Sequence, residues 1–192
     1  MARDRASRPE ARPLRLFIAF DVPDDVRAVL ADAIAPLKER LGGRWTPPEN
    51  WHLTLKFLGS TWPRLVGWVT ETCRGVASAQ RPFETSLSGV GAFPSERRAR
   101  VLWAGLSDPD GRAAGIATVL DDGLAREFKP EKRAFTPHLT VARFQPTVSV
   151  ADALAGIEVT SRPFTVDRIV LYRSHLQRPA PRYEPLEAFP LS

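Results

Sequence analysis

Two stretches of this 192-residue chain decide how the rest is read: Trp51-His52-Leu53-Thr54-Leu55-Lys56-Phe57-Leu58 and Pro137-His138-Leu139-Thr140-Val141-Ala142-Arg143-Phe144. Each is short, apolar and bounded by turn-forming residues, the pattern of a buried strand. Each carries His-Leu-Thr-apolar near its start, with the two histidines 86 positions apart. Side chains alternate across a strand, so His52 and Thr54 share one face while Leu53 and Leu55 share the other. The same holds for His138 and Thr140 against Leu139 and Val141. Strict alternation also puts Lys56 on the face of His52. It aims Arg143 away from His138, unless a bulge or the end of the strand turns it back.

Outward from these strands the chain repeats itself. Leu14–Asp21 reads as a strand, and Val26, Leu30, Ile34, Leu37 and Leu41 as the apolar stripe of a helix. Pro36 inside that stripe predicts a kink or an early stop. The Trp51–Leu58 strand follows, then a helix marked by Leu65, Val69, Cys73 and Val76, then a strand over Phe83–Val90. The order starts again with Arg100–Leu106, a helix at Ile116, Leu120, Leu124 and Phe128, the strand His138–Phe144, a short helix at Val150–Leu154, and Phe164–Tyr172. A duplicated strand-helix-strand-helix-strand unit predicts an α+β chain with two α/β lobes related by a pseudo-twofold axis. Its antiparallel sheets should face a central cleft, with helices outside. Repeat one covers about 14–92 and repeat two about 98–173. A last strand covers about 182–191, so 14–192 forms one two-lobed domain. Residues 1–13 hold four arginines and two prolines without an apolar run, and read as a disordered arm rather than a secretory signal.

The pseudo-twofold would bring two imidazoles and two hydroxyls together. A neutral imidazole can take a proton from an attacking hydroxyl or water while a protonated one gives a proton to the leaving oxygen, and an ordinary pKa near 6.5 makes both states accessible near neutrality. The threonine hydroxyls suit phosphoryl oxygens. A net charge of +5, with 23 arginines against 4 lysines, favours an anionic partner, although biased base composition accounts for much of the arginine excess. The set fits phosphodiester cleavage without a metal, since neither histidine has a second ligand at metal-binding spacing. The single cysteine, Cys73, rules out an internal disulfide framework and falls on the apolar helical stripe. No window is apolar enough to cross a membrane. The cytoplasm is the expected compartment and a monomer the expected state. His175 reads as a surface residue, and the basic run Arg126–Arg133 as a solvated loop.

These residues resemble the 2H phosphoesterases, and most closely their RNA 2′,3′-cyclic phosphodiesterase (2′-5′ RNA ligase) branch. The likeness runs from Arg15 to Leu191 and includes Arg15–Ala19, Pro48–Gly59, Gly91-Ala92-Phe93-Pro94, Pro137–Arg143, Leu171-Tyr172-Arg173-Ser174 and Phe189-Pro190-Leu191. The resemblance implies a two-lobed fold, no cofactor, and opening of an RNA 3′-terminal 2′,3′-cyclic phosphate to a 2′-phosphate. RNA 3′ ends or small cyclic nucleotides would be its substrates. It implies His52 as general acid, His138 as general base, and Thr54 and Thr140 as holders of the phosphoryl oxygens. The residues alone do not say which histidine plays which part. Arg143 matches an arginine of the family that contacts phosphate or ribose, and Lys56 and Phe17 are candidate substrate contacts. Trp51 is bulkier than the residue expected before the first histidine and would bear on the fit of the nucleobase. Two other readings share the cleft: a 2′-5′ RNA ligase acting on tRNA halves, and a nucleotide- or RNA-binding module that turns nothing over.

Overall fold

A computed structural model describes residues 12–192, so residues 1–11 of the expected N-terminal arm lie outside the described residues. Its strands are β1 (Leu14–Asp21), β2 (Arg44–Trp45), β3 (His52–Thr61), β4 (Phe83–Thr85), β5 (Leu87–Phe93), β6 (Ala99–Leu106), β7 (His138–Val148), β8 (Phe164–Val166), β9 (Arg168–His175) and β10 (Arg182–Pro190). The helices are α1 (Asp24–Arg40), α2 (Pro63–Ser78), α3 (Arg112–Leu124) and the single turn α4 (Ala151–Leu154). The expected antiparallel α+β architecture is present.

The main sheet has the order β10-β9-β1-β3-β7-β6-β5, with β2 against β7, and β4 and β8 form a separate ribbon. Its two halves join where β3 meets β7, at the pair Leu53↔Leu139. The repeat order does not map simply onto the halves. β5, from the first repeat, pairs with β6 of the second, and β9, from the second, pairs with β1 of the first. Each half of the sheet is therefore completed by the other repeat's last strand.

One face of the sheet is apolar and covered. Leu16, Ile18 and Phe20 of β1, Leu102 and Ala104 of β6, and Ile169 and Leu171 of β9 join one core cluster with the helical stripes. Those stripes are Val26, Leu30, Ile34 and Leu37 of α1, Leu65, Val69, Cys73 and Val76 of α2, and Ile116, Leu120 and Leu124 of α3. Burying one stripe per helix supplies roughly 1.5–3 kcal/mol for each fully covered large apolar side chain. Helix α1 runs unbroken past Pro36 to Arg40. Pro36 lies on its exposed side, where the carbonyl deprived of a donor can bond water, so the expected stop does not occur. The other sheet face carries Arg15, Phe17, Ala19 and Asp21 of β1 and Val101, Trp103 and Gly105 of β6, and the histidine motifs open onto it.

Candidate active site

Both motifs depart from simple alternation at the same place. Along β3, Ala19 of β1 faces Thr54 but Ile18 faces Lys56, so Leu55 is an extra residue. Along β7, Trp103 of β6 faces Thr140 but Leu102 faces Ala142, so Val141 is extra. A bulge of this kind shifts every later side chain to the opposite face. Leu55 with Lys56, and Val141 with Ala142, are buried in consecutive pairs, while Phe57 and Arg143 emerge exposed. The bulge therefore turns Arg143 onto the face of His138 and Thr140.

The same bulge takes Lys56 away. Its ammonium is buried on the helical side, bonded to the carboxylate of Asp121 on α3 and donating to the carbonyl of Lys129 at 2.8 Å. The expectation that Lys56 shares the face of His52 is thus corrected: it is a buried structural cation. Phe17 does lie on the histidine face but is 3% exposed. Its ring stacks on His52 at 4.6 Å and on Tyr172 at 5.1 Å. It backs the imidazole, and no face is left open for a base. Trp51 is 1% exposed and packed in the core, so its bulk serves packing rather than a nucleobase. His175 ends β9 and bonds Glu184 at 2.5 Å. In the Arg126–Arg133 stretch, Arg133 pairs with Glu131 and Arg126 covers Trp68.

The four motif residues gather on one surface. Continuing the Leu53↔Leu139 register sets His52 across from Thr140 and Thr54 across from His138. Directly opposed residues on antiparallel strands have Cβ atoms roughly 4.5–5.5 Å apart. Each ring is pinned in the same way. His52 Nδ1 donates to the Asn50 carbonyl at 2.8 Å, and His138 Nδ1 donates to the Thr136 carbonyl at 2.7 Å. A carbonyl only accepts, so it holds the proton on Nδ1 and leaves Nε2 of both rings outside that bond. The Asn50 side chain in turn donates to the Pro181 carbonyl at 2.7 Å, tying the turn before His52 to the segment before β10.

The rings differ in surroundings. His52 sits among Phe17, Tyr172 and Tyr183, with Tyr183 edge-on at 5.1 Å. His138 meets Phe93 edge-on at 5.2 Å and Trp103 at 6.4 Å. Trp103 lies so close over Gly91 that a methyl group there would run into its ring. Burial lowers the His52 pKa to about 4, against upward pushes from the Asn50 carbonyl and Asp21 and further lowering by Arg27 and His138. Burial also lowers that of His138; the Thr136 carbonyl opposes this and Arg143 adds to it. Asp21 pairs with His52 across β1 and β3 and accepts a hydrogen bond from the Tyr172 hydroxyl. Beside His52 a cleft of about 510 Å³ is lined by Asp21, Arg27, Glu49, Arg168 and Tyr183 among others. Tyr172 and Tyr183, the chain's two tyrosines, fall on strands expected from the sequence but are not among its candidate site residues. The usable signal was their confinement to the last two strands.

The geometry has known counterparts. The family model described as LigT-like phosphoesterase matches residues 20–103 and 106–183. The chain belongs to that family. A Thermus thermophilus protein named RNA 2′,3′-cyclic phosphodiesterase is 32% identical over 93% of this chain and 90% of its own. A Geobacillus stearothermophilus protein of the same name is 31% identical over 91% of this chain, which spans 56% of that relative's length. The crystal structure of E. coli LigT with 3′-AMP superposes with a TM-score of 0.77 at 27% identity, covering 95% of this chain and 99% of that one. The resemblance read from the two motifs is thus met. Among the described residues of this LigT-like phosphoesterase, no three His, Cys, Asp or Glu side chains group as a metal-holding set. No helix among them is long and apolar enough to cross a membrane.

Proposed function

We propose that this phosphoesterase hydrolyses the 2′,3′-cyclic phosphate at an RNA 3′ end to a 2′-phosphate, using two histidines and no metal or cofactor, as a monomer in the cytoplasm. The observation that carries the reading is the matched anchoring of His52 and His138, each giving Nδ1–H to a carbonyl two residues upstream and leaving Nε2 free on one shared surface. Relatives named RNA 2′,3′-cyclic phosphodiesterase, alike over most of the chain, supply the substrate class.

The step balances with these groups alone. His138 Nε2 takes a proton from water as the water oxygen bonds to phosphorus. The bond from phosphorus to O3′ breaks, and His52 Nε2–H gives its proton to O3′. Thr54, Thr140 and Arg143 hold the non-bridging oxygens, each hydrogen bond to charged oxygen contributing roughly 1.5–3 kcal/mol. Asp21 beside His52 favours an imidazolium there, against burial and Arg27, which hold the pKa of the free protein at about 4, and Arg143 adds to the burial that disfavours one at His138. A bound phosphate anion adds to the first effect.

Incubation with adenosine 2′,3′-cyclic monophosphate in the presence of EDTA tests the reading. The expected product is adenosine 2′-monophosphate at an undiminished rate. A 3′-phosphate product, or activity abolished by the chelator, would overturn it.

A further inference from the structure

Next to the row of His52 and Thr140, the open sheet face carries a second matched pair. β2 continues the line of β3 along β7. Arg44 faces Arg143, Trp45 faces Ala142, and the Thr46 amide donates to the Val141 carbonyl at 2.9 Å. After residues 47–51 loop out, the register resumes with Leu53 facing Leu139. Arg44 therefore stands to His52 as Arg143 stands to Thr140. The faces agree: Ala142 is in the core and Trp45 packs against it, whereas Arg44 and Arg143 are exposed together on the histidine side. Thr140 and Arg143 face Trp103 and Val101, two residues apart on β6, so the arginine row lies roughly 7 Å from the row of His52 and Thr140. Side chains directly opposed on antiparallel strands have Cβ atoms roughly 4.5–5.5 Å apart, and like charges so placed repel. Among the described strand registers, this is the one position where two permanent cations face each other. On β9 and β10, by contrast, Arg173 faces Glu184. The strands around the arginine pair offer no relief, because β2, β6 and β7 contain no Asp or Glu. Such a repulsion, held beside the motif threonines, is offset when an anion sits between the guanidiniums.

Resting on the proposed activity, we infer that Arg44 is a second arginine on the reacting phosphoryl group, paired with Arg143 and acting mainly in the transition state. The cyclic phosphate carries a single negative charge. As His138 takes a proton from water and the water oxygen bonds to phosphorus, a second charge appears on the non-bridging oxygens. It is discharged when the bond from phosphorus to O3′ breaks and His52 protonates O3′. The group is doubly charged only between those two events. Two guanidinium forks then supply one cation for each charge, in place before the reaction begins.

The test is steady-state hydrolysis of adenosine 2′,3′-cyclic monophosphate by the unaltered protein, by Arg44→Gln and by Arg15→Gln. Arg15 is an exposed control of the same charge, lying over Phe57 on the other side of the histidine–threonine set. Arg44→Gln should lower kcat about 10- to 100-fold with KM nearly unchanged, the effect of one charged hydrogen bond made only in the transition state. Arg15→Gln should change neither constant. Inorganic phosphate should raise the urea midpoint of the unaltered protein more than that of Arg44→Gln. Without phosphate and at low salt the variant should be the more stable of the two, having lost the cross-strand repulsion. A normal kcat in Arg44→Gln, with or without a raised KM, would overturn the inference. Equal losses in the two variants would overturn it as well, because they would report net charge rather than contact, and so would equal stabilisation of Arg44→Gln and the unaltered protein by phosphate. Absence of turnover by the unaltered protein would instead sink the proposed activity and this inference with it, whereas normal turnover by Arg44→Gln sinks the inference alone.

Discussion

The two halves of the sheet share their frame and differ in what surrounds it. In both, a His-Leu-Thr segment opens the central strand, a carbonyl two residues upstream fixes the ring, and a bulge after the threonine resets the faces. Around the first histidine the neighbours are Asp21, Phe17 and two tyrosines; around the second they are Gly105 in the place of Asp21, Arg143 in the place of Phe57, and Trp103 with Phe93. The duplicated frame fixes position and tautomer, and the unshared neighbours tell the rings apart. Burial lowers both titrations, His52 the further, while Asp21 opposes that at His52 and Arg143 adds to it at His138.

The largest break in this comparison comes from removing either ring. His52→Ala and His138→Ala should each lower kcat roughly 100- to 10,000-fold while a cyclic-nucleotide analogue still binds, as read by steady-state kinetics and calorimetry. Retention of near-normal turnover by either would contradict its role. Next in size is Lys56, whose counterpart in the second half is Ala142. Lys56→Met leaves the Asp121 carboxylate without its buried partner and should cost about 3 kcal/mol of unfolding free energy in urea, with little change in KM. The double variant Lys56→Met/Asp121→Leu should recover most of that loss.

Smaller effects sharpen the division of roles through pH. Both pKa values lie below 6.5, so the kcat/KM bell should be centred on the acid side of that value. His52 is lowered further than His138, so its titration sets the acid limb and that of His138 the alkaline limb. Asp21→Asn removes a group that raises the His52 pKa and should draw the acid limb downward, whereas Arg143→Gln removes a group that lowers the His138 pKa and should push the alkaline limb upward. Limbs that stay in place in both variants would show that these two charges do not set the titrations. The smallest effect is on stability. The unfolded chain binds a proton at His52 near pH 6.5 and the folded chain near pH 4, so stability falls as pH drops through that window. His52→Gln should flatten that slope in urea melts at pH 7 and 4.5.

Much of this was legible beforehand because it is local. Alternation placed His52, Thr54, His138 and Thr140, and 3.6-residue stripes located all three long helices. The misplacement of Lys56 and the doubt over Arg143 share one cause. Apolar residues fall at 53, 55 and 58 and again at 139, 141 and 144. The step from two to three marks the bulge, and strict alternation overlooked it. Phe17 was placed on the right strand, but its burial depends on Tyr172 and Tyr183, which arrive from strands more than 150 positions away. No periodicity reports such a meeting. Pro36 reads as a breaker only if its carbonyl partner is dry, which is a property of the packed molecule.

The exchange of last strands has a mechanical meaning. Neither repeat can close its own part of the sheet, because β9 must come home to β1 and β5 to β6. The two histidine motifs are therefore held side by side across a span set by interlocked main-chain ladders rather than by a hinge. A chain severed between β5 and β6, within residues 94–98, should yield pieces that are each insoluble alone but regain activity when refolded together, each lending the other the strand it lacks.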